Sequence, residues 1–262
     1  MDMGADGGAD LAACGQGRVV ERELCPTLTN GRHVVTVNGR ERQFIVKLPE
    51  TYDARRPHRL IFTFHPMGGS AELTAAIFVS PNGTLGVYDL LGWANTDGDD
   101  IDFVDAMVEA VEAALCVNQD LRFSTGFSYG GAMSYAIGCA RPEQFRALGI
   151  ISGAEMSGCE GGAPSRPIAT YQQHGVQDDL LLFDNILPMR DALVEANGCT
   201  PVTPEPIPVG NTAARVDYEG CLEGYPMTWV AFDGGHIPGY VDEGDDVPLS
   251  TKNIWEFFTQ FE

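Results

Sequence analysis

The sequence predicts an α/β protein built on a mostly parallel central sheet, with an N-terminal antiparallel hairpin and helices on both faces. Three observations predict it. Short, continuous apolar runs recur along the chain, as strands buried on both faces require. Segments with apolar residues at steps of three and four lie between several of them. A hairpin signature precedes the first of these runs.

The hairpin is His33-Val-Val-Thr-Val37, the turn Asn38-Gly39, and Gln43-Phe-Ile-Val-Lys-Leu48, with apolar residues alternating as in a half-buried strand. The apolar runs are Leu60-Ile-Phe-Thr-Phe64, Ala75-Ala-Ile-Phe-Val79, Leu121-Arg-Phe-Ser-Thr125, Ala147-Leu-Gly-Ile-Ile151, Ile168-Ala-Thr-Tyr171 and Met227-Thr-Trp-Val-Ala-Phe232. The clearest helix starts at Asp99-Asp100, acidic residues that suit a helix N-terminus, and runs to Leu115. Its stripe is Ile101, Val104, Val108, Val111 and Leu115. Further helices are expected over 130–139, 187–196 and 251–261, and the order of elements places one mixed edge on the sheet. Residues 1–24 are polar and Gly/Asp-rich and read as a disordered lead, leaving 25–262 as a single catalytic-sized domain.

Sixteen Lys and Arg against 37 Asp and Glu give a net charge of −21. Such a surface repels nucleic acid and anionic membrane, while neutral substrates are indifferent to it. No apolar run approaches the ~18 residues of a membrane span. The stretch Met1-Asp-Met-Gly-Ala-Asp-Gly-Gly-Ala-Asp10 has neither the basic region nor the apolar core of a signal peptide, and reads as a linker that has lost its natural leader. The seven cysteines are scattered, without a C-x-x-C pair, which argues for disulfides and an oxidising, secreted or periplasmic setting rather than for zinc. No cofactor or metal is expected.

Chemistry enters at Leu121-Arg-Phe-Ser-Thr-Gly126-Phe-Ser128-Tyr-Gly130-Gly131, a G-x-S-x-G after a strand and before a helix. With 31 glycines in 262 residues, accidental matches number only ~0.1. In an α/β-hydrolase fold the serine of this motif occupies a tight turn, which glycines at −2 and +2 permit. Ser128 is therefore the candidate nucleophile. The backbone N–H of Tyr129, at the helix N-terminus, is a candidate oxyanion donor.

The triad of this fold runs Ser, acid, His along the chain. Only His174 and His236 follow Ser128, and His174 precedes the acid candidates, so His236 in Phe232-Asp-Gly-Gly-His236 is the expected base. The acid belongs after the strand that precedes the one leading to His236. Asp178 and Asp179 compete there, with Asp184 a distant third, and spacing does not separate them. A second oxyanion donor belongs in the loop after Phe64, where His65-Pro-Met67-Gly-Gly-Ser70 nominates the backbone N–H of Met67. His65 reads as a structural hydrogen-bonder.

Taken together, Gly92-Trp-Ala-Asn95, Gly126-Phe-Ser-Tyr-Gly-Gly-Ala-Met-Ser-Tyr135, Ser157-Gly-Cys159, His174-Gly-Val176, Asn197-Gly-Cys199, Gly220-Cys221 and Ala231-Phe-Asp-Gly-Gly-His236 resemble secreted feruloyl esterases of carbohydrate esterase family 1. Polyhydroxybutyrate depolymerases and acetyl xylan esterases are more distant relatives of that group. The resemblance runs from about Cys25 to the C-terminus. It implies release of hydroxycinnamates from plant cell-wall polysaccharide through an acyl-enzyme on Ser128. It implies Asp178 over Asp179, from the group's His-Gly-x-x-Asp pattern, and a disulfide between Cys199 and Cys221. It leaves the pairing of Cys25, Cys116, Cys139 and Cys159 open, with Cys14 as the odd one. Trp93 and Tyr129 are candidate aromatic surfaces for the acyl ring, Trp93 being the expected substrate-binding residue.

One departure from the group matters. Only a short link, Pro66 to Thr74, joins two strands that should be parallel, where the group has a longer stretch with a helix. The loop borders the active site, and a wider cleft is one consequence. The alternatives to a feruloyl esterase are an acetyl xylan esterase or a polyester depolymerase, which would share the triad and differ in the acyl pocket. A non-catalytic binding module on the same scaffold is the remote alternative.

Overall fold

The computed structural model describes residues 28–66, 76–85, 90–159, 162–242 and 244–261. The hairpin forms as expected. β1 (Gly31–Val37) and β2 (Arg40–Lys47) pair antiparallel, and Asn38 (φ 50°) and Gly39 (φ 76°) take the left-handed backbone that a two-residue hairpin turn needs. The apolar runs become β3 (His58–Phe64), β4 (Ile77–Pro81), β7 (Val117–Phe127), β8 (Ala147–Ile151), β9 (Ala169–Gly175) and β11 (Met227–Phe232). Two elements carried no sequence signal: a separate two-stranded ribbon of β5 (Thr84–Leu85) and β6 (Leu91–Gly92), and the edge strand β10 (Ala213–Asp217).

The main sheet has nine strands in the order β1-β2-β4-β3-β7-β8-β9-β11-β10. From β4 to β11 neighbours run parallel, while β2 joins β4 and β10 joins β11 antiparallel. Both edges are therefore mixed, where the sequence placed one. β10 alternates polar and apolar residues on a half-exposed strand, so its strand character comes from pairing with β11 rather than from an apolar run.

The helices are α1 (Asp99–Ala114), α2 (Tyr129–Ala140), α3 (Phe183–Ala196) and α4 (Leu249–Thr259). All five residues of the α1 stripe are buried, and Asp99, Asp100 and Asp102 in its first turn complement the helix dipole. On one face of the sheet, α1, α2 and α3 pack Val104, Met133 and Leu193 against Leu60, Phe62, Leu148, Ile150 and Trp229. On the other, α4 lays Phe257 and Phe258 over Phe123, Tyr171 and Phe232. Each such fully buried side chain is worth roughly 1.5–3 kcal/mol.

Disulfides link Cys199 to Cys221, as the resemblance implied, and Cys139 to Cys159, which ties the end of α2 to the loop after β8. Cys116 is buried, with its thiol donating to the Ala54 carbonyl at 2.6 Å. Cys14, Cys25 and the lead 1–24 lie outside the described residues, as does most of the short link from Pro66 to Thr74. Among the described residues no helix is long and apolar enough to cross a membrane.

Candidate active site

Parallel strands deliver their C-terminal ends to one edge of the sheet, and three of those ends carry the expected site residues. β7 ends at Phe127 and α2 starts at Tyr129, so Ser128 is the whole of the turn between them. Its backbone sits at φ 57°, ψ −118°, a conformation that L-residues adopt only when the surroundings impose it. They impose it here through an N–H donated to the Ile151 carbonyl at 2.9 Å and a carbonyl that accepts from Ala132 at 3.0 Å. The flanking glycines are a steric requirement. A Cβ at Gly126 would overlap the backbone of Gly130, and one at Gly130 would overlap the Phe64 carbonyl on β3.

The turn after β9 carries Asp178, the expected acid. Asp178 is buried, and its Oδ1 accepts N–H bonds from Leu180 (3.0 Å) and Leu181 (2.8 Å). Two backbone bonds hold this turn to the loop after β11: Val176 N–H to Phe232 O and Gln177 N–H to Gly234 O, both 2.9 Å. That loop presents His236, whose ring lies 4.8 Å, centroid to centroid, from the ring of Phe127.

His236 Nδ1 is 2.7 Å from Asp178 Oδ2 and its Nε2 is 2.8 Å from Ser128 Oγ. A carboxylate only accepts, so Nδ1 carries the proton and the Nε2 lone pair faces the serine hydroxyl. This is the tautomer a general base needs. Burial alone would push the Asp178 carboxyl up. The hydrogen bonds from His236 and Leu181, with the two neighbouring imidazoles, outweigh it and hold the pKa below the ordinary carboxylate value. Asp179 and Asp184 are exposed, and among the described residues no hydrogen bond joins either carboxylate to His236.

Tyr129 opens α2, where first-turn N–H groups have no intrahelical acceptor. Its half-buried ring lies against Gly92, and burial pushes its pKa up. Met67, the other expected oxyanion donor, lies outside the described residues. His65 is structural: Nδ1–H donates to the Pro66 carbonyl at 2.6 Å, and Nε2 accepts from Gly83 N–H at 3.0 Å.

Trp93 is corrected. It is 0% exposed and offers no ring face to a substrate. Its ring packs edge-on against Phe64 at 5.0 Å, and its Nε1–H donates to the His65 carbonyl at 2.9 Å. The loop is drawn inward by Asn95, whose side chain accepts from the N–H groups of Asp100 and Ile101. The buried Asp100–Arg42 pair (2.7 Å) joins the start of α1 to β2, and Asp100 Oδ2 also accepts from the Asn95 N–H at 2.8 Å. Trp93→Ala is accordingly expected to cost about 3–5 kcal/mol of stability. It should slow methyl ferulate and nitrophenyl acetate alike. A loss confined to methyl ferulate, in a variant that melts like the parent, would return Trp93 to the acyl site.

Sequence reasoning set His174 aside as a base and missed that it stands behind the acid. Its Nε2 is 2.7 Å from the Leu181 carbonyl and 3.1 Å from Asp178 Oδ2. The signal was its place four residues before Asp178, at the end of a buried strand. Among the described residues no group of three or more His, Cys, Asp or Glu is arranged to hold a metal ion.

No protein-family model matches the chain. Among curated proteins, Feruloyl esterase D of Neurospora crassa is 38% identical over 279 aligned positions, covering 97% of this chain and 91% of that protein. Feruloyl esterase C of Emericella nidulans is 40% identical over 270 positions, covering 96% and 92%. Among solved structures, an acetyl xylan esterase from Aspergillus awamori superposes with a TM-score of 0.64 at 16% identity, covering 87% of this chain and 99% of that one. A ferulic acid esterase superposes with a TM-score of 0.56 at 15% identity, covering 80% and 91%. At such identities the structures establish the α/β-hydrolase fold, and the two curated relatives establish the family. This chain is a carboxylic-ester hydrolase that belongs to the family of feruloyl esterases C and D.

Proposed function

We propose that this chain hydrolyses hydroxycinnamoyl esters of plant cell-wall polysaccharide through an acyl-enzyme, with Ser128 as nucleophile, His236 as base and Asp178 as acid. The observation that carries the reading is the continuous hydrogen-bond chain from Ser128 Oγ through His236 to Asp178, at 2.8 and 2.7 Å, on a strained strand-to-helix turn. As Ser128 Oγ attacks the ester carbonyl, its proton passes to His236 Nε2. Asp178 stabilises the imidazolium that results. The negative charge that develops on the carbonyl oxygen meets the Tyr129 N–H at the N-terminus of α2, with the Met67 N–H as the proposed second donor. As the bond to the sugar oxygen breaks, the imidazolium gives its proton to that oxygen and the sugar leaves as a neutral alcohol. A water molecule, deprotonated by the same Nε2, releases the acid and restores Ser128.

With Trp93 buried, support for a bulky apolar acyl group comes from the neighbours of the triad. Leu180 and Leu182 follow Asp178, Ile237 follows His236, and all three are exposed. The proposed setting is extracellular, consistent with disulfides at Cys139–Cys159 and Cys199–Cys221. Residues 25–262 are proposed to act as one catalytic domain, since a single nine-stranded sheet carries all three site residues.

A hydrolysis panel of methyl ferulate, xylan acetate and short nitrophenyl esters tests the substrate class. Methyl ferulate is expected to exceed the acetyl esters in kcat/KM by about tenfold or more, the scale of discrimination an apolar pocket supplies. Good turnover of xylan acetate with hardly any of methyl ferulate would replace this reading with an acetyl xylan esterase.

A further inference from the structure

Beside Asp178, the end of β9 buries His174 completely. The Nε2 atom of His174 is 2.7 Å from the Leu181 carbonyl, which can only accept, so this nitrogen carries the proton. The same Nε2 atom lies 3.1 Å from Asp178 Oδ2, the oxygen that accepts from His236 Nδ1–H. Its Nδ1 is buried without a hydrogen-bond partner. A second proton there would put a charged N–H in a site with nothing to receive it, at a large desolvation cost. The titratable groups that face His174 are Asp178 on its own turn and His236 on the loop after β11. From α3 it meets the ring of Phe183, at 6.3 Å between centroids, and its register partner on β11 is Ala231.

We propose that His174 is a positioning residue acting through Asp178: a neutral Nε2–H donor that ties the Leu181 carbonyl, and with it the turn that carries Asp178, to the end of β9. The inference rests on the triad reading above. The turn 178–181 is closed from within by Asp178 Oδ1 on the N–H groups of Leu180 and Leu181, and from outside by His174 on the Leu181 carbonyl. Removing the imidazole frees the outer fastening and leaves the carboxylate to wander relative to His236. Its neutrality matters as much as its position. A neutral imidazole holds the turn and leaves the carboxylate's charge to His236, whereas a cation would compete for that charge. Burial pushes the His174 pKa down, which agrees with the unpartnered Nδ1.

The test uses His174→Leu and His174→Gln, assayed across pH on whichever ester of the panel the parent hydrolyses fastest. Displacing a catalytic group by about 1 Å costs on the order of 10²-fold. For His174→Leu, kcat should therefore fall about 10–100-fold, with KM within about twofold. Losing the polar ring whose Nε2 stands 3.1 Å from Asp178 Oδ2 leaves the carboxylate's charge to His236, so the acid limb of kcat/KM should move to higher pH. The amide nitrogen of Gln reaches the place of Nε2, so His174→Gln should regain about tenfold of the loss and bring the acid limb back toward the parent's. Parental kcat in His174→Leu would overturn the inference. So would equal losses in both variants with an unmoved limb, the mark of a purely structural residue. Should His174→Leu fail to fold, His174→Asn takes its place: its amide falls short of Nε2, and equal kcat in the Asn and Gln variants overturns the inference. Labelling of the parent by a serine-directed phosphonate, mapped by mass spectrometry, keeps the two readings apart. An unlabelled Ser128 defeats the triad itself, while a labelled Ser128 with indifferent His174 variants defeats this inference alone.

Discussion

Ser128→Ala is expected to lower kcat by about 10⁴-fold or more while the protein melts within a few degrees of the parent. The size follows from the unit the three side chains form. Without Oγ there is no nucleophile for His236 to activate, and the oxyanion donors with substrate binding account for what rate remains. The fold should tolerate the change because Oγ contributes one hydrogen bond, to His236 Nε2, while the turn is fixed by backbone bonds to Ile151 and Ala132. Alanine meets the same φ of 57° that serine already occupies, so no new backbone strain arises. The measurement is single-turnover hydrolysis beside phosphonate titration. The parent should take up one equivalent at Ser128 and the variant none. Activity within tenfold of the parent would remove Ser128 from the reaction. A parent that resists the phosphonate would return the chain to the binding-module alternative.

The place of Ser128 on the strand-to-helix turn was legible because the requirement there is local. Gly126 and Gly130 stand where a Cβ would collide with backbone, and both fall in a fixed sequence spacing. The strands from β3 to β11 that pack on both faces were legible for a related reason, since burial on two sides demands an unbroken apolar run. β10 was missed because an edge strand with a half-exposed face needs no such run, and its ladder with β11 is a tertiary fact. The ribbon β5–β6 is too short for any pattern to register.

Trp93 and His174 were illegible for different reasons. A tryptophan in a loop at the ligand-binding edge has a ring large enough either to stack on a substrate or to fill the core, and composition does not say which way the loop turns. The direction is set by Asn95 and Asp100, which pull it down onto α1, and by the His65 carbonyl that receives the indole N–H. His174 was read only for whether it could be the base. Its place four residues before Asp178 was visible, but its approach to Asp178 depends on how the turn 175–181 doubles back on the strand end, which that spacing alone does not fix. Asp178 itself was half legible. The motif reached a pair of adjacent aspartates, and the family resemblance rather than any periodicity chose between them.

That choice makes Asp178→Asn the sharpest test after the serine. The amide keeps the size of the carboxylate but presents an NH₂ group where two oxygens now accept. Faced with a donor, His236 turns its Nδ1 into the acceptor and carries its proton on Nε2, pointing at the Ser128 hydroxyl it should deprotonate. A wrong tautomer of this kind costs about 10⁴-fold in kcat. Asp179→Asn, one residue on and exposed, should stay within about twofold of the parent, because an exposed group away from the triad contributes little. If Asp179→Asn were the variant that lost activity, the acid would have to be reassigned and the turn after β9 redrawn. Stability offers an independent readout with a definite sign. The Asp178 carboxyl is held below its ordinary pKa in the folded protein, so its charged form stabilises the fold above the unfolded value of about 4. That contribution is lost as pH falls through the lower folded value. The difference in unfolding free energy between parent and Asp178→Asn, measured by denaturant titration, should therefore be greatest above about pH 5 and shrink on further acidification. A difference that held constant down to pH ~3 would mean that the carboxylate is not held in its charged form by His236, His174 and the Leu181 N–H.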